Sequence, residues 1–145
     1  MISFEKHAFK GLDIELNAVH TSIQQMASLV GKQLALLENA LSDGLQDNTD
    51  AKAADKQINA LEFEIESKVA SILSKYTLIG DELRFTMTML KLSSTLERMG
   101  DIAKNCVKRV VKLAKPMPAS FITEARAMKN IIEQMLNSSM SLVTH

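Results

Sequence analysis

Apolar side chains recur at every third or fourth position through four long segments of this chain, and this pattern limits its fold more than any other feature. In the first segment the repeating positions are Leu16, Val19, Ile23, Met26, Val30, Leu34, Leu37 and Leu41. This spacing matches one face of an α-helix, and no segment predicts a strand. The sequence therefore predicts an all-α protein.

Turn residues separate the first two predicted helices. The first helix is expected to end near Asp43–Gly44, and Thr49 or Asp50 to cap a second helix that stops before Gly80. Short connections between long helices favour antiparallel neighbours, so the first three helices should form an up-down-up bundle.

A third helix is predicted from about Asp81 to about Ala114. The breaker, the proline-containing segment Lys115–Pro118, should end this helix, and Ser120 is expected to cap a shorter fourth helix. The predicted units are a three-helix repeat over residues 1–114, a breaker over 115–118 and a single helix over 119–145.

Charge and cysteine content exclude several classes of protein. The 17 basic and 17 acidic residues balance, which argues against a nucleic-acid partner. A single cysteine, Cys106, excludes an intramolecular disulfide framework and is expected to be buried and inert, as suits a reducing cytoplasm. No apolar run reaches the ~20 residues of a membrane span, so direct membrane insertion is not expected.

The segment LERMGDIAKN, Leu96 to Asn105, places Glu97, Asp101 and Asn105 at successive i+4 positions on one helical face. Gly100 lies among them, although a glycine inside a helix costs about 1 kcal/mol relative to alanine. We therefore expect something to approach the backbone closely at Gly100.

A second polar ladder, formed by Asp55, Asn59 and Glu62, lies on the second helix. When residues are counted outward from the turn near Ile79, the residues of the two ladders lie at similar distances from the turn along their helices. Glu62 is level with Glu97. Each ladder is rotated by about 100° from its apolar stripe, because its residues follow core positions by one. The ladders should therefore run side by side at the rim of the bundle.

Oxygen ligands at i and i+4 suit hard or borderline cations such as iron, manganese, magnesium or calcium, whereas the lack of a nearby histidine argues against zinc. The candidate metal ligands are Glu97, Asp101, Asp55, Asn59, Glu62 and Asn105. Folding should not require the metal. The alternative is a solvated face on which Arg98, Lys104 and Lys108 pair with the acids.

The sequence contains no catalytic constellation. It has no glycine-rich phosphate loop, no Ser-His-Asp or Cys-His arrangement with supporting context, and no Glu-x-x-His motif of a diiron site. His20 lies beside the first apolar stripe and is expected to pack there as a half-buried side chain. We do not expect an enzyme.

Four segments together resemble the PhoU family of phosphate-uptake regulators. They are EKHAFKGLDIELNAV near the start, ADKQINALEFEIE at Ala54 to Glu66, DELRFTM at Asp81 to Met87, and LERMGDIAKN. The resemblance covers roughly Glu5 to Leu113, and an ERxGDxxxN pattern downstream of a D/E-L-R pattern is specific.

The resemblance implies tandem three-helix bundles, each with an acid-x-x-x-acid motif on two helices that can hold metal ions on its surface. Carried over, one motif falls on Glu97 and Asp101, and the other on Asp55 with Asn59 in place of the second acid. The sequence also departs from the family pattern at Leu78, where a proline often stands, and at Glu82, where the family has aspartate.

The resemblance further implies an accessory negative regulator of phosphate uptake and phosphate-starvation signalling. Such a protein would contact a phosphate-specific ABC transporter and a membrane sensor kinase, and would reach the inner membrane only through these partners. Two alternatives stay open: a helical-bundle interaction module with no metal and no phosphate role, and a truncated, inactive PhoU-like protein.

Phe121 to Val143 resembles only the first helix of a second repeat. Its apolar face has to be covered, either by folding back onto the bundle or by pairing between chains. We favour a symmetric homodimer.

Overall fold

The computed structural model describes residues 10–42, 47–113 and 117–143 of the chain. It contains four helices: α1 (Lys10–Leu41), α2 (Thr49–Lys75), α3 (Asp81–Val111) and α4 (Ala119–Val143). The described ranges contain no strand, which confirms the all-α prediction. None of the helices is long and apolar enough to cross a membrane, as far as the described residues show.

The helix starts differ from the predicted caps by one or two residues. Asn48 precedes α2, and the Thr49 backbone N–H donates to Asp47 Oδ1 at 2.8 Å, so Thr49 is the first helical residue and Asp50 the second. The residue at the cap position is Asn48, which makes no side-chain capping hydrogen bond. Ser120 lies inside α4, after Ala119, and is not its cap.

Two predicted helix ends fall partly outside the described residues. α1 ends at Leu41, and the turn predicted at Asp43–Gly44 lies outside the described part. α3 ends at Val111, three residues before the predicted end, and residues 114–116 of the breaker region are not described.

α1, α2 and α3 enclose the main core, and α1 also contacts α4. The largest fully buried apolar side chains come from all three helices and include members of the stripe predicted for the first: Leu16, Ile23, Met26, Ile58, Ile65, Ile72, Met89 and Leu96. Removing such side chains from water is the dominant favourable contribution to folding. His20, expected to be half-buried, is buried beside this core, where its Nε2 lies 3.0 Å from the Val143 carbonyl oxygen.

Contacts between distant residues establish that neighbouring helices are antiparallel. Lys75, at the end of α2, pairs with Glu15 near the start of α1 at 3.1 Å. Towards the other end, Gln33 Nε2 donates to the Ala51 carbonyl oxygen at 3.0 Å. Lys104, towards the end of α3, pairs with Asp55 near the start of α2 at 3.0 Å, so the first three helices run up-down-up as predicted.

α4 folds back antiparallel to α1, and α1 is the one helix with which it makes close backbone contacts within the described residues. Arg126 Nε donates to Glu38 Oε1 at 2.5 Å, and Lys129 lies 3.8 Å from the same carboxylate. Further along α4, Leu136, Met140 and Val143 pack against the main core. Leu136 is the buried residue of α4. Most of the apolar face predicted for this helix therefore does not pack on α1.

Candidate functional site

Gly100 allows α2 and α3 to approach closely. A Cβ atom at this position would lie 2.7 Å from Ile58 Cδ1 and 3.8 Å from Val30 Cγ2, so a side chain there would displace its neighbours. This confirms the expectation of a close approach to the backbone at Gly100. The same close approach brings the polar ladders of α2 and α3 together.

The centre of the combined surface is a lysine between two aspartates. Lys104 Nζ lies 3.0 Å from Asp55 Oδ2 on α2 and 2.6 Å from Asp101 Oδ1 on its own helix. Asn105 Nδ2 donates to the second oxygen of Asp101, Oδ2, at 3.0 Å. We call Asp55, Asp101, Lys104 and Asn105 the lysine-bridged cluster.

The lysine-bridged cluster is partly shielded from water. The side chains of Asp55 and Lys104 are 13% and 20% exposed, whereas that of Asp101 is 45% exposed. The hydrogen bond to Asp101, followed by that to Asp55, raises the pKa of Lys104 against the opposing effect of burial. Lys104 therefore stays protonated at neutral pH.

A second pair of carboxylates, Glu62 and Glu97, lies further along the same surface. Burial raises the pKa of Glu62, and the nearby charges of Glu97 and Glu66 raise it further. Within the described residues neither Glu62 nor Glu97 forms an ion pair. The influence of Glu97 on Glu62 agrees with their predicted equal height.

The six predicted ligands therefore separate into two groups and one isolated residue. Asp55, Asp101 and Asn105 belong to the lysine-bridged cluster, and Glu62 lies near Glu97. Asn59 is exposed on α2 and joins neither group. Of the three cations proposed to pair with the acids, Lys104 does so, while Arg98 and Lys108 are exposed.

The lysine-bridged cluster does not offer a free set of metal ligands as it stands. An ammonium group lies between the two carboxylates, and both oxygens of Asp101 already accept hydrogen bonds. Among the described residues, no three histidine, cysteine or acidic side chains are grouped closely enough to hold a metal ion. Metal binding by the six residues stays a prediction from the sequence.

An apolar groove on another side of the molecule was not predicted from the sequence. It runs between α3 and α4 above α1 and comprises two adjoining cavities of about 430 and 650 Å³. The residues that line both are Leu34, Leu37, Ile102, Cys106 and Ile132. Cys106 is half-buried in this groove, not buried as predicted. The stripe Phe121, Ala125, Met128, Ile132 and Met135 was the signal in the sequence for an apolar face here.

Relatives with curated names match most of the chain and support the PhoU resemblance. Phosphate-specific transport system accessory protein PhoU homologues from Aquifex aeolicus and Caulobacter vibrioides are 29% and 30% identical over 86% and 83% of the chain. The homologue from Xylella fastidiosa is 31% identical over 95% of it. These matches cover 57%, 53% and 58% of the relatives, so the chain spans little more than half their length.

No solved structure gives a significant match to the chain. The relatives are named as accessory proteins, which agrees with the prediction that the chain is not an enzyme. The family model described as PhoU domain matches residues 23–110, more than half of the chain and all of the lysine-bridged cluster. The chain therefore belongs to the PhoU domain family.

Proposed function

We propose that this protein is an accessory negative regulator of phosphate uptake and of phosphate-starvation signalling. It acts by contact with a phosphate-specific ABC transporter and with a membrane sensor kinase, at the cytoplasmic side of the inner membrane. Membership of the PhoU domain family and the names of the relatives support this role. On this proposal residues 1–114 act as one PhoU-like repeat.

The observation that carries the proposal is that the residues of the ERxGDxxxN pattern lie in two different environments. Gly100, from the middle of the pattern, is buried and holds α2 against α3, whereas Glu97, Asp101 and Asn105 lie partly exposed on the surface above. A shallow polar surface on a rigid bundle suits recognition of a partner better than chemistry on a small substrate. The α2–α3 surface is therefore the proposed contact with the transporter or the kinase.

In this proposal a metal ion is bound only at Glu62 and Glu97. Glu62 and Glu97 are carboxylates without an ion pair in the described residues, and a hard cation such as iron or manganese would relieve their repulsion. Such a cation would supply positive charge to an acidic group of a partner. The interaction-module alternative without metal draws support from Lys104, which already pairs with Asp55 and Asp101.

A pull-down with purified transporter and sensor kinase tests the role of the α2–α3 surface. The double variant Glu97→Ala, Asp101→Ala should lose binding to at least one of them and keep the helical content of the unchanged protein. A matched control is Glu124→Ala, which removes an exposed acid from α4. Retention of both partners by the double variant would contradict the proposal.

We further propose that two copies of the chain form a symmetric homodimer through α4. The exposed stripe of α4 is symmetrical about the midpoint between Ile131 and Ile132: in an antiparallel pair Phe121 would meet Leu142 of a second copy, and Met128 would meet Met135. These four side chains are 53% to 82% exposed. Glu124 is exposed on α4, whereas Arg126, Lys129 and Glu133 form ion pairs.

Light scattering of the full chain tests the homodimer. The unchanged protein should have twice the mass of one chain, and Ile132→Glu should halve it, because each copy would then place a charge in the apolar contact next to the two-fold axis. Phe63→Glu is the control, since Phe63 is an exposed apolar residue on α2, away from the proposed contact. A monomeric unchanged protein would rule out this mode of pairing.

A further inference from the structure

The lysine-bridged cluster contains its own cation. Lys104 donates to one carboxylate on α2 and to one on α3, so its ammonium group joins the two helices at the place where the sequence predicted a metal ion. We propose that Lys104 replaces a metal ion at Asp55 and Asp101, and that this part of the α2–α3 surface is complete without metal. The inference is independent of the regulatory role proposed above.

The geometry supports the replacement because the oxygen atoms are already in use. Asp101 accepts from Lys104 at 2.6 Å through Oδ1 and from Asn105 at 3.0 Å through Oδ2. Asp55 accepts from Lys104 at 3.0 Å through Oδ2. A metal ion between the aspartates would have to displace the ammonium group and break these charge-assisted hydrogen bonds.

The charges support the same conclusion. Two carboxylates and one ammonium group leave a single net negative charge in the cluster, and a divalent cation would lie within a few ångströms of the positive charge of Lys104. Asn59, at the position of the second acid in the family motif, is neutral and exposed, so it does not restore the missing charge.

The pair Glu62 and Glu97 provides a comparison within the same protein. Both carboxylates lie on the same two helices, but among the described residues no lysine or arginine bridges them. Any cation that the unchanged protein binds should therefore depend on Glu62 and Glu97 and not on Asp55.

The test is binding of Mn²⁺ to the full chain, followed by the loss of the electron paramagnetic resonance signal of the free ion. Lys104→Met removes the ammonium group and keeps the length of the side chain. It should raise affinity for Mn²⁺ by at least about tenfold, towards the range typical of carboxylate sites, and Mn²⁺ should raise its melting temperature. Adding Asp55→Asn to this variant should abolish the gain.

Two matched variants isolate the charge. Lys104→Arg keeps a cation at the same position and should bind Mn²⁺ no better than the unchanged protein. Lys108→Met removes an exposed lysine one helical turn further on, and should also leave binding unchanged. A gain in Lys104→Arg or Lys108→Met equal to that in Lys104→Met would contradict the proposal.

Two further outcomes would overturn the inference. One is a folded Lys104→Met protein, judged by circular dichroism, that gains no affinity for Mn²⁺. The other is an unchanged protein whose Mn²⁺ binding is lost with Asp55→Asn alone. This second comparison does not use Lys104→Met, so the inference stays testable if that variant does not fold.

Discussion

α2 and α4 both pack antiparallel to α1, yet they place their apolar stripes in opposite environments. α2 contacts α1 and α3, and its stripe residues Ile58, Ile65 and Ile72 are fully buried. α4 contacts α1 alone among the described helices, and its stripe residues Phe121, Met128 and Met135 are more than half exposed. A regular apolar stripe is thus buried within the chain only where two neighbouring helices cover it.

The comparison also explains why the molecule has a polar surface on one side and an apolar groove on the other. Between α2 and α3 the core is closed by contact at Gly100, and polar side chains cover its rim. Between α3 and α4 the helices are further apart, so the groove stays open above Leu34 and Leu37. The α2–α3 side is thus closed within one chain, whereas the α4 side leaves apolar side chains exposed.

The largest expected difference between the two stripes comes from truncating one residue in each. Ile58→Ala should lower the free energy of unfolding by roughly 2–5 kcal/mol, because Ile58 is fully buried and the variant leaves a cavity. Met128→Ala should change it by less than about 0.5 kcal/mol at concentrations where the chain is monomeric, because Met128 is 65% exposed. Urea unfolding followed by circular dichroism measures both. Equal losses would show that α4 is covered within one chain.

The close approach at Gly100 can be tested with a pair of glycines in helices. Gly100→Val should destabilise the protein by about 1–3 kcal/mol, because the added side chain would collide with Ile58. Gly31→Val in α1 should be neutral or slightly stabilising, because no atom lies within 4 Å of its added Cβ and valine has the better helix propensity. Melting temperatures of the two variants give the comparison. A loss at Gly31 as large as that at Gly100 would contradict the assignment.

The smallest effect concerns the carboxylates that lack a bridging cation. Burial and the charges of Glu97 and Glu66 raise the pKa of Glu62 in the folded state, so its favourable contribution is present below its ordinary pKa and is lost as pH rises through the raised value. Glu62→Gln should therefore stabilise the protein at pH 7, by less than about 1 kcal/mol, and the gain should vanish near pH 4. Urea unfolding at the two pH values measures it. A loss of stability at pH 7 would show that the charge of Glu62 is favourable.

Part of the candidate site could be predicted because antiparallel helices have a regular geometry. Each residue advances a helix by 1.5 Å, so counting from the turn placed Glu62 level with Glu97, and the effect of Glu97 on the pKa of Glu62 agrees with it. The close packing at Gly100 could be predicted because glycine is otherwise unfavourable inside a helix. Both features follow from the regular geometry and residue preferences of helices and from the position of the turn between α2 and α3.

The pairing of Lys104 could be suggested but not decided from the sequence. Arg98, Lys104 and Lys108 all lie near the acids along α3, and the structure pairs Lys104 with Asp55 and Asp101 while the other two are exposed. The choice depends on the rotation of α3 against α2, which packing sets. A predicted metal position can therefore be filled by a neighbouring lysine.

By itself the sequence determined four helices, their apolar stripes and the antiparallel order of the first three, because these follow from the spacing of residues near one another in the chain. Only the tertiary structure decided which face of α4 turns to α1, and that Lys104 lies between two aspartates on different helices. Those outcomes depend on how whole helices pack, and each helix has more than one surface that could have been buried.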